Sequence, residues 1–261
     1  MEHPGRVYLI GAGPGDPELI TLKAARCLEK AEVVIHDRLV ADGVLDLAPA
    51  GAERIFAGKA TGNHHLDQDS INGLLAGAAR RARVVARVKG GDPFIFGRGG
   101  EEAAFLSARG IPWEAVPGVT AAAGAAAQAG VPLTQRGTAS GVRFVTGHLK
   151  NDGRLDLPWE SLADPDTTLA VYMGLGTLEH LAGALVDAGL PPDIPTLAVA
   201  RATLPDARRV TAPLAALPER VAAHGLAPPV IVLVGHVVGL APDRVAGAAL
   251  AGDAAPEVAH A

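Results

Sequence analysis

Short runs of Val, Ile and Leu alternate along this chain with longer stretches whose apolar residues recur at helical spacing. Val7–Ile10, Val33–His36, Arg83–Val88 and Trp113–Val116 read as buried strands in the first half. Val142–Thr146, Thr168–Met173, Thr196–Ala200 and Val230–Val234 read the same way in the second. Helical patterns lie between them, at Glu18–Lys30, Asp69–Arg81, Gly100–Arg109, Val119–Ala129, Leu178–Ala188 and Leu214–Ala223. Continuous apolar strands that alternate with helices predict an α/β protein with mostly parallel sheets covered on both faces. Asp16 is a good N-cap for the first helix, Pro17 suits its first position, and Glu18 favours the positive end of its dipole. The stretch VPLTQRGTASG breaks an Ala-rich helix near Val131–Ser140. The pattern therefore predicts two α/β lobes, residues 1–130 and 141–245, with a cleft between them. The Ala- and Gly-rich residues 246–261 read as a frayed tail.

Length and composition narrow the function classes. The 261 residues are 49% hydrophobic and 20% charged, enough for a substantial core. The net charge of −5 argues against a nucleic-acid partner, although a few local arginines suffice for an anionic small molecule. Cys27 is the sole cysteine, which rules out an internal disulfide and a cysteine-rich metal site. Its neighbours Leu22, Ala25 and Leu28 mark it as a small buried hydrophobe rather than a reactive thiol. His64 and His65 have no third ligand at recognisable spacing, so no metal is expected. No leader and no run of the ~20 apolar residues that a membrane span needs is read, and the expected compartment is the cytoplasm.

Two glycine clusters carry the candidate chemistry. Gly11-Ala12-Gly13-Pro14-Gly15-Asp16 follows the first strand and opens a helix, the position of a dinucleotide fingerprint. Its details favour a ligand without phosphate, because Asp16 brings a carboxylate to the helix start and Pro14 and Pro17 remove amide donors. A tight turn with no ligand remains an alternative for this motif taken alone. The second cluster, VKGGDPFIFGRGGEE over residues 88–102, begins where a strand ends and holds five glycines between Gly90 and Gly100. Open α/β sheets bind ligands at such strand ends, and paired glycines let the main chain approach a ligand closely.

The blocks GAGPGDPELITLKA, HDRLV, GKATG, VKGGDPFIFGRGGEE, VPGVTAAAGAAAQAGVPLTQR, GHLK and VYMGLG resemble those of the tetrapyrrole methylases, in order from about Val7 to about Gly235. The resemblance implies two α/β lobes with S-adenosylmethionine in the cleft, and a homodimer. It also implies C-methylation of uroporphyrinogen III at C2 and C7 to precorrin-2, with release of S-adenosylhomocysteine. By the same resemblance Pro14, Gly90, Gly91, Asp92, Ile95, Thr120, Ala121, Met173 and Ala202 line the cofactor site. Arg98, Glu101, Arg136 and Met173 face the substrate, whose carboxylates match the guanidinium fork. Catalytic roles fall to Asp37 and Lys59 as proton acceptor and donor, and to Arg98. A guanidinium is a poor base, so Arg98 reads better as an orienting, charge-stabilising group.

His36 stands where the family usually has Tyr, and the stretch ARATLPDARRV around Ala202 departs from the usual Glu-Asn-Gly-Thr. With no fused dehydrogenase and chelatase region, the chemistry is expected to stop at methylation. The competing readings are a methylase acting on a later precorrin, a dinucleotide-dependent oxidoreductase built on GAGPGD, and a non-catalytic tetrapyrrole carrier.

Overall fold

The computed structural model describes residues 4–58, 67–149, 153 and 155–241. Lys59, His64, His65 and the predicted tail over 246–261 lie outside them. The chain divides into two compact units, Met1–Ala121 and Ala122–Ala261.

The first unit is built on a five-stranded sheet of β1 (Arg6–Gly11), β2 (Val33–His36), β3 (Glu53–Phe56), β4 (Val84–Lys89) and β5 (Trp113–Val116). Their order is β3-β2-β4-β1-β5, and every pairing is parallel. Its helices are α1 (Leu22–Leu28), α2 (Asp42–Leu45), α3 (Gln68–Arg81) and α4 (Gly99–Ser107). Ala24 and Leu28 of α1 and Val44 and Leu45 of α2 pack with Ile10, Val34, Ala86 and Val88 on one face. Ile71, Leu75 and Ala78 of α3 and Ala103 and Leu106 of α4 pack with Val7, Leu9, Ile35 and Val85 on the other. The period-2 alternation of strand side chains thus feeds both faces, as a doubly covered parallel sheet requires.

The predicted helix over Glu18–Lys30 is two elements. Asp16 caps a single 3₁₀ turn, Pro17–Leu19, its carboxylate accepting from the Glu18 amide at 2.9 Å. Ile20 is then extended, and Thr21 starts α1 afresh by accepting from the Ala24 amide at 3.2 Å. A carboxylate cap and a hydroxyl cap five residues apart compete, and each begins its own turn.

The second unit carries α5 (Ala121–Ala129, beginning at the division) and a sheet of β6 (Gly141–Thr146), β7 (Thr167–Tyr172), β8 (Pro195–Ala200), β9 (Arg208–Pro213) and β10 (Val230–Val234). Short α6 (Trp159–Leu162), α7 (Leu178–Asp187) and α8 (Leu217–Ala223) accompany it. The order is β6-β7-β10-β8-β9; β6 and β7 are parallel, and the remaining pairings are antiparallel. β7 and β8 both run antiparallel to β10, so both end at the same edge of the sheet. Among the described residues no helix is long and apolar enough to cross a membrane.

Candidate active site

The loops that follow β1, β4 and β5 meet at the carboxyl edge of the first sheet. The Ala12 amide donates to the Lys89 carbonyl at 2.8 Å, and Gly13 and Gly91 exchange main-chain hydrogen bonds at 3.2 and 2.7 Å. A Cβ on Gly11 would lie 2.6 Å from the Gly91 carbonyl oxygen and 2.5 Å from the Gly118 nitrogen. One on Gly118 would lie 2.3 Å from that same Gly91 oxygen. Three main chains therefore touch where only glycine leaves room.

Gly91 itself has φ +68°, and a Cβ there would find only the Ala121 nitrogen at 3.7 Å and the Thr120 Cα at 3.9 Å. The face of Gly91 beside Thr120 and Ala121 is thus open at ordinary contact distance. Gly90 has a different reason to be glycine, since a Cβ would press on Leu39 at 2.7 Å. Asp92 holds the crossing together: Oδ1 accepts from the Phe94 amide at 2.8 Å and Oδ2 from the Gly118 amide at 3.1 Å. A carboxylate engaged by two main-chain amides is first a fastener of these loops, a role that the residue pattern alone did not reveal. Ile95 follows in the same turn, its amide 3.4 Å from the Asp92 carbonyl. Pro14 is half-buried in the loop after β1.

Arg98 adopts the left-handed conformation (φ 60°, ψ 13°) at the N-cap of α4. Its Nε and Nη2 reach Glu101 Oε1 and Oε2 at 2.8 and 2.7 Å, a bidentate pair with both side chains about half exposed (54% and 55%). The pairing pushes Arg98 above the usual guanidinium value and holds Glu101 below the usual carboxylate range. Asp37 lies just past β2, with Oδ1 accepting from the Leu39 amide at 2.9 Å. Beside it the His36 ring meets Phe56 edge-on, with centroids 5.6 Å apart. Asp37, the Gly90–Asp92 turn, Arg98 and Glu101 all belong to this one edge of the first unit.

In the second unit Met173 follows β7 with φ 54° and is 52% exposed, and Arg201 and Thr203 follow β8 with φ 52° and 68°. Non-glycine residues held in this region are uncommon and tend to gather at functional sites. The Tyr172 hydroxyl accepts from the Ala122 amide at 3.1 Å, and Gln128 of α5 accepts from the Thr203 amide at 2.8 Å. Both strand ends are thereby fastened to α5. Ala202 is buried between them in sequence, at 8% exposure. Arg136 sits exposed at the tip of a tight turn closed by Thr138 and Ala139 amides on the Gln135 carbonyl.

One charged cluster escaped the sequence reading. Arg87 and Lys89 occupy alternate positions of β4, on the side that α3 and α4 cover, and are 2% and 5% exposed. Fully buried Glu102 of α4 receives Arg87 Nε at 3.0 Å and Lys89 Nζ at 2.9 Å on its Oε1. The available signal was two cations at a two-residue spacing in an otherwise apolar strand. Among the described residues no group of His, Cys, Asp and Glu is arranged to hold a metal ion.

The chain matches the family described as Tetrapyrrole (Corrin/Porphyrin) Methylases over residues 6–218, and it belongs to that family. It is 52% identical to the uroporphyrinogen-III C-methyltransferase of Paracoccus denitrificans, over 92% of this chain and 83% of that protein. It is also 52% identical to the sirohaem synthase of Chromobacterium violaceum, over 92% of this chain but only 51% of that longer protein. The crystal structure of a Thermus thermophilus uroporphyrin-III C-methyltransferase complexed with S-adenosylhomocysteine superposes with a TM-score of 0.77. Its identity is 44%, covering 90% of this chain and 94% of that one.

Proposed function

We propose that this chain transfers methyl groups from S-adenosylmethionine to C2 and C7 of uroporphyrinogen III, forming precorrin-2 and S-adenosylhomocysteine. The observation that carries the reading is the open Gly91 face on the interlocked loops of Gly11, Gly91 and Gly118. It is a main-chain crossing at a strand end where an atom added on Gly91 would meet only ordinary contacts, in a chain 52% identical to a uroporphyrinogen-III C-methyltransferase. When bound, the cofactor would supply a methyl group activated by its sulfonium, open to attack by a nucleophilic pyrrole carbon with S-adenosylhomocysteine as the leaving group.

The chain's own work is then mainly positioning, which can contribute on the order of 7–11 kcal/mol to such a displacement. By the family resemblance, Pro14, Gly90, Gly91, Asp92, Ile95, Thr120, Ala121, Met173 and Ala202 are the residues that hold the cofactor. Glu101 fixes two arms of the Arg98 guanidinium and leaves Nη1 to donate to a substrate carboxylate. The same pairing keeps Arg98 cationic, so it orients charge and does not remove the proton. Arg136 and Met173 complete the substrate contacts. Asp37, with Oδ1 engaged by Leu39, takes the proton lost by the macrocycle through Oδ2, and Lys59 is its counterpart as donor. A homodimer acting in the cytoplasm is part of the same reading.

An anaerobic assay with uroporphyrinogen III and methyl-labelled S-adenosylmethionine tests it. Label in two methyl groups per macrocycle is the expected result. Bound S-adenosylhomocysteine without incorporation would point to a later precorrin as substrate.

A further inference from the structure

Glu102 is fully buried and faces two buried cations. Its Oε1 accepts from Arg87 and Lys89, with Gln68 Nε2 at 3.5 Å, while its Oε2 has no hydrogen-bond partner among the described residues. Charge compensation needs one cation. A second costs desolvation free energy without a second carboxylate to offset it. Arg87 already does what a structural cation would do: besides Glu102, its Nη1 reaches the Ile35 and Val88 carbonyls at 3.4 and 3.3 Å. Lys89 is therefore surplus to the fold's electrostatics, and its location accounts for it. It is the last residue of β4, directly before Gly90-Gly91-Asp92, and its own carbonyl receives the Ala12 amide of the neighbouring loop. Its side chain grips the first turn of α4, the same turn that carries Arg98 and Glu101 on its outer side.

We propose that Lys89 is a positioning residue: through Glu102 it sets the Gly90–Asp92 turn and the Arg98–Glu101 pair in register with each other. The inference rests on the methyltransferase reading above. Burial and the neighbouring Arg87 charge lower the Lys89 ammonium below the usual lysine value, whereas Glu102 and Asp37 raise it. The surplus charge therefore faces Arg87, Glu102 and Asp37.

Lys89→Met and Arg87→Met in the full chain separate positioning from scaffold. Each leaves one cation on Glu102, but only the second strips the Ile35 and Val88 carbonyls of a donor. Lys89→Met is expected to melt within about 3 °C of the parent, since a change of 1 kcal/mol moves a chain of this size by roughly 2–4 °C. Its dissociation constant for S-adenosylhomocysteine should rise about tenfold to a hundredfold, with a rise in tetrapyrrole KM, as expected for displacement of a binding turn by a fraction of an ångström. Arg87→Met should melt lower and bind S-adenosylhomocysteine as the parent does. Unchanged cofactor affinity in Lys89→Met, or equal loss in both variants, overturns the inference. Should Lys89→Met not fold, Lys89→Leu, which likewise offers Glu102 no donor, decides by the same affinity measurement. A parent chain that fails to bind S-adenosylhomocysteine overturns the methyltransferase reading and this inference together. Binding by the parent with no change in the variants strikes this inference alone.

Discussion

Glu101 and Glu102 are neighbours on the first turn of α4, and they live in opposite electrostatic regimes. Glu101 points outward to a single guanidinium, in a bidentate pair that water reaches from both sides. Glu102 points inward to a guanidinium and an ammonium where side-chain exposure is 6% or less. Exposed pairs of the first kind contribute roughly 0–1 kcal/mol to stability. Buried pairs of the second kind are costly to form and far costlier to break from one side. One helical turn thus carries a pair that is free to exchange partners with an incoming carboxylate and a pair that is not. On the reading proposed above, the outer face meets the substrate and the inner one holds the loop.

The largest expected effect comes from removing the inner carboxylate. Glu102→Gln should cost about 3–5 kcal/mol, because two buried cations then share a neutral amide. Thermal unfolding reads it, and a melting temperature unchanged from the parent would put Glu102 in the same regime as Glu101.

The next concerns pH. Lys89 has its folded-state value lowered, so in the window between that value and the ordinary lysine value the unfolded chain binds more protons. Stability gained from this residue therefore rises with pH across that window, reaching its full extent above the ordinary lysine value. The melting temperature of the parent relative to Lys89→Met should climb from neutral pH towards pH about 10, the region where a free lysine titrates. A flat difference would mean that Lys89 is not desolvated.

The outer pair gives the smallest change in stability and a large one in function. Arg98→Leu should cost no more than about 1 kcal/mol of stability, a figure already discounted for solvent screening. It should nevertheless raise the tetrapyrrole KM, with S-adenosylhomocysteine affinity within about twofold of the parent, as for loss of one substrate contact. Glu101→Gln should lower stability by a few tenths of a kcal/mol, an effect that fades in molar salt. If salt erased the Glu102→Gln defect in the same way, the inner network would not be sheltered from solvent.

Much of the architecture was legible where burial was complete. β2, β5 and β10 have the predicted bounds; Val33–His36 and Val230–Val234 are continuous apolar or aromatic runs, and Trp113–Val116 is interrupted only by Glu114. β3 and β9 were not read, and both are edge strands that open on charged residues, Glu53 and Arg54 in one and Arg208 and Arg209 in the other. Edge position alone does not hide a strand, since β5 and β6 are also edges and were read; the paired charges that open β3 and β9 break the apolar run. The glycine loops were found by composition, since five glycines in eleven residues have few other uses. Their mutual contact was invisible, because Gly11, Gly91 and Gly118 approach one another only once β1, β4 and β5 lie side by side. The buried ion cluster went unread for a related reason. An acidic residue in the first turn of a helix is ordinary, and only the face that α4 presents to β4 makes Glu102 a partner for Arg87 and Lys89.

The crossing of Gly11, Gly91 and Gly118 has a consequence for modularity. Loops that meet through side chains can be exchanged one at a time, because a neighbour can change rotamer to receive a newcomer. Here the meeting surfaces are peptide groups with no rotamer to change, and one carbonyl, that of Gly91, is shared by the other two loops. Transplanting the turn after β4 from another scaffold would carry over a shape that fits no host but its own two companions. The three loops form a single heritable unit, dispersed over more than a hundred positions of sequence yet indivisible in space.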